Sequence, residues 1–501
     1  MEIEALKQPQ LAFLGALTRR FPQAQVYLVG GAVRDAMLGR DTKDLDFVVR
    51  GVPGDALERF LRGLGRVNFV GKTFGVYKFV PEGGDPQEPF DIALPRTEHS
   101  ESLSGAYREF TVQSDPLLRV EDDLSRRDYT VNAMALDVVS GELVDPHGGK
   151  GDLCARRLRA VGNPDLRFAE DYSRMLRGLR LACQLGFEWD ADTWNSLLRL
   201  MPQINATRNS EFVVPRETVG RELVRAFASD PVKALDLWDA SGAIAAVLPE
   251  LLSMKGCPQP TNYHAEGDVW THTRLALERL RSPEFASEWP EKRPDAEVIF
   301  AVLLHDVAKP VTITTPEKDG TDRIRFNNHD NVGARMARAI CERVKLSQFP
   351  RDSGWHIDPE RLAWLVAHHL LLVHGAIEDM KNSTIERYFF ADRRAGEQLL
   401  MVMWADGSAT VPPSGTPDLT NYRAMRGRIA KLAELDRART GLPPPLVDGR
   451  RIMTEFGIRP GPTVGKYLAL VREAQLAGEV TTADEAMAWL KRQTGAMVSD
   501  G

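Results

Sequence analysis

The spacing of apolar residues changes along the chain near residue 150. Before that point, strand-like apolar runs alternate with helical runs, and the last of these apolar runs are residues 133–139 and 143–144. After it, apolar residues recur mainly at helical spacing. This pattern predicts an α+β protein, in which an α/β head with a mixed sheet and helices precedes a largely α-helical remainder.

Shifts in composition divide the helical remainder further. Residues 151–255 carry Arg-rich helical faces, and residues 256–410 hold eight of the ten histidines. The segment VPPSGTPDLT at 411–420 is rich in Pro and is typical of a loop or hinge. We therefore expect four domains, at 1–150, 151–255, 256–410 and 411–501, in a chain long enough for several buried cores.

The bulk composition is that of an ordinary globular protein. Hydrophobic residues make up 43% and charged residues 27%, and no apolar run is long enough to cross a bilayer. The segment MEIEALKQPQ lacks the apolar stretch of a secretory signal, and four cysteines are scattered without C-x-x-C spacing. These features predict a cytoplasmic protein with reduced cysteines. Because the formal net charge is −6, any RNA contact must come from a local basic surface.

The segment YLVGGAVRDAMLGRDTKDLDF at 27–47 combines several features of phosphate chemistry. Gly30 and Gly31 follow an apolar strand, and such a turn lets backbone N–H groups and a helix N-terminus approach a phosphate. Asp44 and Asp46 alternate along a second predicted strand, so we expect their side chains on one face. Two carboxylates this close repel unless a cation lies between them, and Mg²⁺ prefers such oxygen ligands. The segment predicts a metal-dependent nucleotidyl-transfer site, with a solvated surface turn as the alternative.

With Arg34 and Asp35, the pattern G-G-x-V-R-D followed by D-x-D resembles the nucleotidyltransferase family of bacterial tRNA CCA-adding enzymes and poly(A) polymerases. The resemblance implies that Gly31 and Arg34 hold the triphosphate. It also implies a third acidic residue on a neighbouring strand, for which Asp91 in PFDIALPRTE is the best candidate. A strand-capping role explains Asp91 equally well. In the family, the R-T-E that follows, here residues 96–98, opens a mobile loop.

A second motif lies in DLSRRDYTVNAMALD at 123–137. Taken alone, its charged residues are typical of a solvated cluster. The segment matches the family pattern R-R-D-x-T-x-N-A, and by that resemblance Arg127 and Asp128 contact the phosphate and ribose of the incoming nucleotide. The chemistry fits, because a guanidinium is a forked donor to phosphate and a carboxylate accepts from a ribose hydroxyl.

A third motif lies in RFAEDYSRMLRGLRLACQLGF at 167–187, which predicts a helix with a charged stripe. The stripe recurs every three residues and consists of Asp171, Arg174, Arg177 and Arg180. An amphipathic surface helix gives the same pattern. The segment nevertheless resembles the family motif E-D-x-x-R, which implies that Asp171 and Arg174 select the base of CTP or ATP. Residues 154–180 hold seven arginines and three acids, which predicts a local basic surface.

The second half of the chain carries histidines and aspartates in the order H…HD…H…HH…D. Neutral imidazoles combined with carboxylates suit a transition-metal or mixed-metal site, whereas a single buried histidine is usually a core residue. The expected ligands are His272, His305, Asp306, His329, His368 and Asp406. The pattern does not decide between His368 and His369, or between one ion and two.

This region resembles the HD family of metal-dependent phosphohydrolases, which some bacterial CCA-adding enzymes carry behind the polymerase half. Imidazole ligands favour Ni²⁺, Co²⁺ or Mn²⁺ over Mg²⁺. The segment PLVDGRRIMTEFGIRPGPTVGKYL loosely resembles the tail of the same enzymes. Gly457, Gly461 and Gly465 allow turns that suit an RNA phosphate, and an ordinary loop between helices fits equally well.

The complete sequence predicts a template-independent tRNA nucleotidyltransferase that adds CCA, or part of it, from CTP and ATP. Mg²⁺ held by Asp44 and Asp46 would serve that reaction. An A-adding enzyme or poly(A) polymerase is the nearest alternative. A phosphohydrolase whose head only binds RNA belongs to another class, and the intact acidic and arginine motifs argue against it. The sequence leaves the oligomeric state and the substrate of the histidine domain open.

Overall fold

The computed structural model describes residues 8–42, 44–70, 76–100, 105, 110–373, 377–437 and 442–498. Its contacts divide the chain into two compact units. The first comprises Met1–Pro249 with Val344–Gln348, and the second comprises Glu250–Arg343 with Phe349–Gly501. The predicted fold class is confirmed, since a mixed sheet with helices is followed by a mostly helical chain.

The head of the first unit is built on a seven-stranded sheet in the order β3-β4-β5-β2-β1-β8-β9, with β6 and β7 forming a separate pair. The strands are β1 (Gln25–Val29), β2 (Asp46–Arg50), β3 (Gly65–Val70), β4 (Val76–Pro81), β5 (Phe90–Ala93), β6 (Arg96–Ser100), β7 (Phe110–Ser114), β8 (Ala135–Asp137) and β9 (Leu143–Val144). The helices are α1 (Ala12–Arg20), α2 (Gly31–Met37), α3 (Gly54–Arg62) and α4 (Val120–Ser125).

The register of the central strands places two acidic residues side by side. Strand β2 runs antiparallel to β1 and parallel to β5, and Asp46 is directly opposite Asp91. Behind these strands, Phe13 of α1 contacts the rings of Phe47, Phe79 and Phe90. The apolar runs fill one core, and the acidic residues therefore remain at the edge where the site forms.

The rest of the first unit is helical with short strand pairs. Its elements are α5 (Gly149–Cys154), β10 (Arg157–Leu158), α6 (Pro164–Glu170), α7 (Ser173–Leu185), β11 (Glu188–Trp189), α8 (Ala191–Leu200), β12 (Thr207–Arg208), β13 (Glu211–Phe212), α9 (Arg216–Ser229), α10 (Pro231–Ala240) and α11 (Ala243–Val247). The chain is not one helix across the third motif, because Asp171 has extended backbone angles between α6 and α7.

Helix α7 packs closely on the second motif. The Tyr129 hydroxyl donates to the Arg174 carbonyl oxygen at 2.7 Å. A Cβ at Gly178 would lie 2.0 Å from the Tyr129 hydroxyl and 2.5 Å from the Trp189 ring, so only glycine fits. The glycine in α7 thus sets how near its arginines come to the second motif.

The second unit holds helices and one short strand pair. Its elements are α12 (Val269–Arg279), α13 (Pro283–Glu288), α14 (Ala296–Leu304), α15 (Lys309–Thr312), β14 (Ile313–Thr314), α16 (Pro316–Asp319), β15 (Arg325–Phe326), α17 (His329–Arg343), α18 (Pro359–His368), α19 (Asn382–Phe389), α20 (Arg393–Ala409), α21 (Thr420–Arg437), α22 (Gly449–Phe456), α23 (Pro462–Leu476) and α24 (Ala483–Val498).

Helix α14 is the central element of this unit. All nine of its residues are buried, as expected for the apolar run AEVIFAVLL, and it contacts α12, α17, α18 and α20. His305 and Asp306 follow its last residue. The chain end forms its own small core, in which Ile452, Val471 and Leu490 are buried. None of the helices in the described part of the chain is long and apolar enough to cross a membrane.

We predict that Gly178→Ala destabilises the first unit, because its methyl group has no space beside Tyr129. Overpacking of this kind costs about 1–3 kcal/mol, measurable by urea unfolding. Gly151→Ala is the matched control, since Gly151 is also helical and a Cβ there meets nothing within 4 Å. That control should be neutral or stabilise by about 0.5–1 kcal/mol. Equal effects of the two substitutions would contradict the packing argument.

Candidate active site and metal centre

A cavity of about 490 Å³ in the first unit collects the residues of all three predicted motifs. Every residue predicted for the polymerase site lines it: Gly30, Gly31, Arg34, Asp44, Asp46, Asp91, Arg127, Asp128, Asp171, Arg174, Arg177 and Arg180. The first and third motifs are separated by more than 100 residues of sequence, so only the fold could bring all three together.

Three carboxylates form the acidic wall of this cavity. The predicted strand included both Asp44 and Asp46, but β2 begins at Asp46 and is therefore two residues shorter at this end. Asp44 precedes the strand and is exposed, whereas Asp46 and Asp91 are partly buried. Burial, followed by repulsion from Asp44 and Asp91, raises the pKa of Asp46 to about 6. A divalent cation would relieve this repulsion, and the carboxylate oxygens are ligands of the kind such ions prefer.

The Gly-Gly turn faces the same cavity. Gly30 has φ of +74°, and a Cβ on it would lie 2.7 Å from Nη1 of Arg127. Glycine therefore serves two needs here, the left-handed backbone and the close approach of a guanidinium. Arg34 follows in α2, where its side chain donates to Asp35 at 2.8–2.9 Å and to Oδ1 of Asn132 at 2.6 Å. These bonds fix the guanidinium before any ligand arrives.

The second motif supplies two buried aspartates that hold arginines. Asp123 is fully buried and pairs with Arg126 at 2.9 Å and Arg127 at 3.4 Å. Asp128 pairs with Arg177 of α7 at 2.8 Å and accepts from the Tyr129 backbone N–H at 2.8 Å. Although burial disfavours the anion, Arg177 holds the pKa of Asp128 well below its usual range. The Asp128 carboxylate is thus an ion-pair partner within the protein as well as a residue that lines the cavity.

The third motif is organised by the break between α6 and α7. Glu170 ends α6 and forms an ion pair with Arg174 and another with Arg167 at 2.9 Å. Arg174 is buried, and it also donates to the backbone carbonyls of Arg167 and Arg126. Glu170 lies four residues before Arg174, which is the spacing of an i, i+4 ion pair. The predicted single stripe is corrected, because Asp171 lies in the break and accepts from the Ser173 N–H at 2.9 Å.

The local basic surface is smaller than the arginine count along the chain indicates. Arg157 and Arg159 both pair with the buried Asp152 at 2.8 Å, and Arg180 pairs with Glu222 of α9. These carboxylates lie outside the 154–180 window, so the sequence count did not include them. The fold therefore uses much of this positive charge for internal ion pairs, and the cavity wall presents what remains.

Four polar residues that line the cavity were not among the predicted site residues. Arg126 and Asn132 belong to the second motif, and Arg96 to the R-T-E at 96–98. The family resemblance therefore included these positions but gave them no role. Arg225 on α9 lies some 180 residues from the D-x-D and has no local motif. Only the packing of α9 against α7 brings it to the cavity.

Gly105 connects the segment after β6 to the third motif. Its N–H donates to the Ala169 carbonyl at 2.7 Å, and its carbonyl accepts from the Tyr172 N–H at 3.3 Å. These two bonds flank Glu170 and Asp171 on either side. The predicted mobile loop opened by residues 96–98 lies largely outside the described residues, so its motion stays a prediction.

In the second unit, Asp306 lies at the centre of a cluster of imidazoles. Its Oδ2 is 3.2 Å from Nε2 of His305, and its Oδ1 is 3.4 Å from Nε2 of His329 and 3.9 Å from Nε2 of His369. Asp406 of α20 lies 3.0 Å from Nε2 of His272. Two groups of potential ligands result, one containing His272, His305 and Asp406, the other containing Asp306, His329 and His369.

The imidazoles are oriented by what their other nitrogens do. Nδ1 of His305, His329 and His369 is 2.7 Å from the backbone carbonyl three residues earlier in each case. A carbonyl can only accept, so each Nδ1 carries a proton and each Nε2 turns its lone pair to the cluster. The same hydrogen bond thus orients three histidines, each at the end of a different helix. This is the arrangement that metal-ligating histidines require.

The structure corrects one predicted ligand, because His369 rather than His368 belongs to the cluster. His369 is buried, with its ring 5.3 Å from those of His305 and His329. His368 is the last residue of α18, and its ring packs on Trp364 and Tyr388. The turn from α18 into a 3₁₀ helix at His369 separates the directions of the two neighbouring side chains. The sequence could not resolve this, since the two histidines are adjacent.

The cluster has the donor set and the unmet polar atoms of a divalent metal centre. Within the described residues, the buried Nε2 atoms of His329 and His369 and Oδ1 of Asp306 have no hydrogen-bond partner. Nε2 of His272 and His305 lie 3.4 Å apart, a contact that a shared cation would make favourable. Buried polar atoms are rarely left without a partner, so these residues fit a metal ion. Lys309 balances part of the charge, with its ammonium 2.7 Å from Oδ2 of Asp306.

We predict that Asp46→Asn stabilises the metal-free protein above pH 6. Because the pKa of Asp46 is raised to about 6, the folded state keeps a proton between pH 4 and 6 that the unfolded chain has released. Stability therefore falls as pH rises through this window, by at most about 3 kcal/mol. In chelator, the variant should unfold at a higher temperature than the parent at pH 8, and at a similar temperature at pH 4.

Asp55→Asn is the control for this experiment. Asp55 is exposed and pairs only with Arg59 in a surface i, i+4 contact, so its replacement should change stability by less than about 0.5 kcal/mol at either pH. A lower unfolding temperature for Asp46→Asn at pH 8 would show that the carboxylates are not repelling one another.

Comparison with protein families supports both sites. Residues 26–159 match the model of the Poly A polymerase head domain, and residues 269–406 match the model of the HD domain. The first range contains the D-x-D and the second motif. The second contains the six residues of the imidazole and aspartate cluster.

Individual relatives extend the similarity along the chain. A multifunctional CCA protein of Alkalilimnicola ehrlichii is 37% identical over 366 residues, covering 72% of this chain and 77% of the relative. One from Xanthomonas campestris pv. campestris is 32% identical over 464 residues, covering 90% and 98%.

Solved structures show the same fold at lower identity. The CCA-adding enzyme of Bacillus stearothermophilus in complex with CTP aligns with a TM-score of 0.54 at 20% identity, covering 99% of this chain and 100% of the other. The Thermotoga maritima CCA-adding enzyme complexed with tRNA aligns with a TM-score of 0.58 at 17% identity, covering 99% of both. From the extent of the curated relatives, together with the matching head and HD models, the chain belongs to the family of multifunctional CCA proteins.

Proposed function

We propose that the first unit adds CCA to tRNA 3′ ends, using CTP and ATP and without a nucleic-acid template. The observation that carries this proposal is the single cavity on which all three motifs converge. Its lining includes carboxylates that suit Mg²⁺ and arginines that suit a triphosphate. The cavity is large enough for a nucleotide and a tRNA end to meet beside the carboxylates.

Each group of residues has a separate task in this reaction. Asp44, Asp46 and Asp91 would hold Mg²⁺, which supplies charge neutralisation at the triphosphate and activation of the attacking hydroxyl. The Gly30–Gly31 turn and Arg34 hold the phosphates, with Arg34 already oriented by Asp35 and Asn132. In-line attack then depends on how firmly the arginines hold the α-phosphate relative to the tRNA hydroxyl.

Asp171 and Arg174 read the base. Arg174 is fixed through Glu170 and two backbone carbonyls, so its guanidinium plane is set before the nucleotide enters. Asp171 lies at the helix break, where its carboxylate reaches the cavity beside Arg174. A rigid donor and acceptor pair of this kind discriminates bases by leaving the wrong one with unmet hydrogen bonds. Arg127, Arg177 and Arg180 complete the basic wall.

Two alternatives make different demands on the same site. An A-adding enzyme or poly(A) polymerase shares the carboxylates and differs in base choice. A phosphohydrolase with a non-polymerising head would not need the three carboxylates, whose mutual repulsion is a cost to folding without a metal ion. This cost is explained when the carboxylates bind a catalytic cation.

The first test uses tRNAs that end before C74, before C75 and before A76, each with CTP or ATP alone and Mg²⁺. We expect C addition to the first two and A addition to the third. Asp44→Ala should lower the rate by several orders of magnitude while tRNA binding stays within about threefold, because it removes a metal ligand. Asp55→Ala, an exposed aspartate of the same unit, should retain the parental rate.

The outcomes separate the alternatives. Addition of A to the third tRNA without C addition to the others would indicate an A-adding enzyme. No addition to any tRNA by the folded parent would favour the head that only binds RNA. An Asp44→Ala variant with more than a tenth of the parental rate would contradict the assignment of the carboxylates.

We also propose that the second unit hydrolyses phosphoesters at two neighbouring divalent ions. His272, His305 and Asp406 would hold one ion, and His329 and His369 the other, with Asp306 reaching toward both groups through its two oxygens. The ions would polarise a phosphoester and supply a nucleophile. Ni²⁺, Co²⁺ and Mn²⁺ suit this nitrogen-rich set better than Mg²⁺ does. Nucleoside 2′,3′-cyclic phosphates are the first substrates to test.

The adjacent histidines provide a matched test of this centre. His369→Ala should abolish metal-dependent hydrolysis, because it removes a buried Nε2 from the cluster. His368→Ala should keep at least a third of the parental rate, since its ring packs on Trp364 and Tyr388 instead. Both variants should retain addition of CTP and ATP. Loss of hydrolysis in His368→Ala alone would reverse the assignment, and loss of nucleotide addition in folded His369→Ala would contradict separate sites.

The remaining expectations stay predictions. A cytoplasmic location agrees with four cysteines that are free thiols in the structure, although that observation does not test it. The domain limits at 150, 255 and 410 are proposals that limited proteolysis would examine. A tRNA contact by the turns around Gly457 and Gly461 is likewise a proposal. The turn predicted at Gly465 is wrong, because this residue lies inside α23.

A further inference from the structure

A buried glutamate that the sequence analysis did not select lies against the metal centre. The Glu266 side chain is only 4% exposed, and its Oε1 is 2.8 Å from Nδ1 of His272 and 2.7 Å from Nδ1 of His264. Its Oε2 accepts from the backbone N–H of Val411 at 3.0 Å. A carboxylate with three donors and almost no solvent contact is a fixed anion at this position.

Glu266 determines which nitrogen of His272 faces the cluster. A carboxylate only accepts, so Nδ1 of His272 carries the proton and Nε2 is directed to Asp406 at 3.0 Å and His305 at 3.4 Å. The other three histidines of the cluster obtain this orientation from a backbone carbonyl three residues earlier. His272 is thus the one of the four whose orientation depends on a side chain.

The same glutamate joins two walls of the first group of ligands. His272 is on α12 and Asp406 is on α20, which are distant in sequence. Val411 lies two residues after the end of α20. Its carbonyl accepts from the Ala265 N–H at 2.7 Å, and its own N–H donates to Glu266. Glu266 therefore holds the end of α20 and the His272 ring with its two oxygens.

We propose that Glu266 is the positioning residue of this metal centre, setting the His272 tautomer and the separation of His272 from Asp406. The proposal rests on the proposed function of the second unit, since it concerns metal ligation there. Glu266 meets the cluster at Nδ1 of His272, on the side of the ring away from Asp406 and His305, and its other oxygen accepts from Val411. Outer carboxylates of this kind raise ligand basicity and affect metal affinity about 10–100-fold.

His264 does not make this corner a further metal site. His264, Glu266 and His272 lie close enough to hold an ion. However, both Nδ1 atoms already share Oε1 of Glu266, and His272 cannot donate and ligate through one nitrogen. In our proposal His264 is a second donor that helps to hold the carboxylate, and its loss should matter less than that of Glu266.

The test measures Co²⁺ binding to the full chain by calorimetry, after chelator treatment and without substrate. Glu266→Gln keeps the size and shape of the side chain but replaces one carboxylate oxygen by an NH₂ group. That NH₂ group then faces another hydrogen-bond donor, either the Val411 N–H or the His272 Nδ1–H. We expect the Co²⁺ Kd to rise 10–100-fold. Glu297→Gln is the matched control, since Glu297 is also buried and accepts from Asp358 N–H and Gln398. It should change Kd less than threefold, even if both variants unfold at lower temperature.

A double-mutant cycle separates positioning from general damage. If Glu266 acts through His272, then Glu266→Gln should add little to the Kd change of His272→Ala, and the coupling should account for most of the single effect. His264→Ala should raise Kd less than threefold. Should Glu266→Gln fail to fold, Glu266→Asp serves instead, because the shorter side chain cannot reach both partners, and at least a tenfold weaker Kd is expected.

The failures are distinguishable. A parent chain that binds no Co²⁺, Mn²⁺ or Ni²⁺ would overturn the proposed hydrolytic function of the second unit. A parent that binds Co²⁺, with unchanged affinity in Glu266→Gln, would overturn only the role of Glu266. Additive effects of Glu266→Gln and His272→Ala would also overturn it, because the glutamate would then act elsewhere.

Discussion

The ion pair between Asp128 and Arg177 is the interaction on which the nucleotide cavity depends. It joins the loop of the second motif to helix α7, and the Tyr129 hydroxyl and Gly178 fix the distance between the same two segments. Asp128 is buried whereas Arg177 is exposed, so removing Arg177 would leave a buried carboxylate without its counterion, which is a costly arrangement. The charges that are proposed to contact the nucleotide therefore also hold the walls of the cavity together.

Both centres concentrate groups that oppose one another until a cation binds. In the first unit the opposition is between carboxylates, and the pKa of Asp46 shows it. In the second unit, burial and neighbouring His305 lower the pKa of His369 to about 4, while hydrogen bonds to Asp406 and Glu266 overcome burial and raise that of His272 to about 9. Neighbouring imidazoles of one cluster thus favour opposite protonation states, and divalent ions would replace this uneven arrangement with neutral imidazole ligands.

The sequence predicts what depends on local pattern. The α/β head, the helical remainder and the twelve predicted residues that line the cavity followed from local patterns such as G-G-x-V-R-D. What it missed depends on packing across the chain. Arg225 and Glu266 have no motif of their own. His368 and His369 are adjacent, and only the change from α-helix to 3₁₀ helix between them separates their side chains. The basic surface was overestimated for the same reason, since Asp152 and Glu222 lie outside the counted window.

Lys309 gives the second unit a consequence for its assembly. Its ammonium is 2.7 Å from Oδ2 of Asp306 and donates to the side-chain Oε1 of Gln259 at 2.8 Å, so the buried aspartate has a counterion from the protein itself. This counterion lowers the cost of burying Asp306 in the metal-free unit, whereas small domains that depend on an ion stay unfolded without it. A metal ion that binds Asp306 must compete with the Lys309 ammonium, which the chain holds beside the carboxylate at very high local concentration. This competition favours metals that bind tightly over abundant metals that bind weakly.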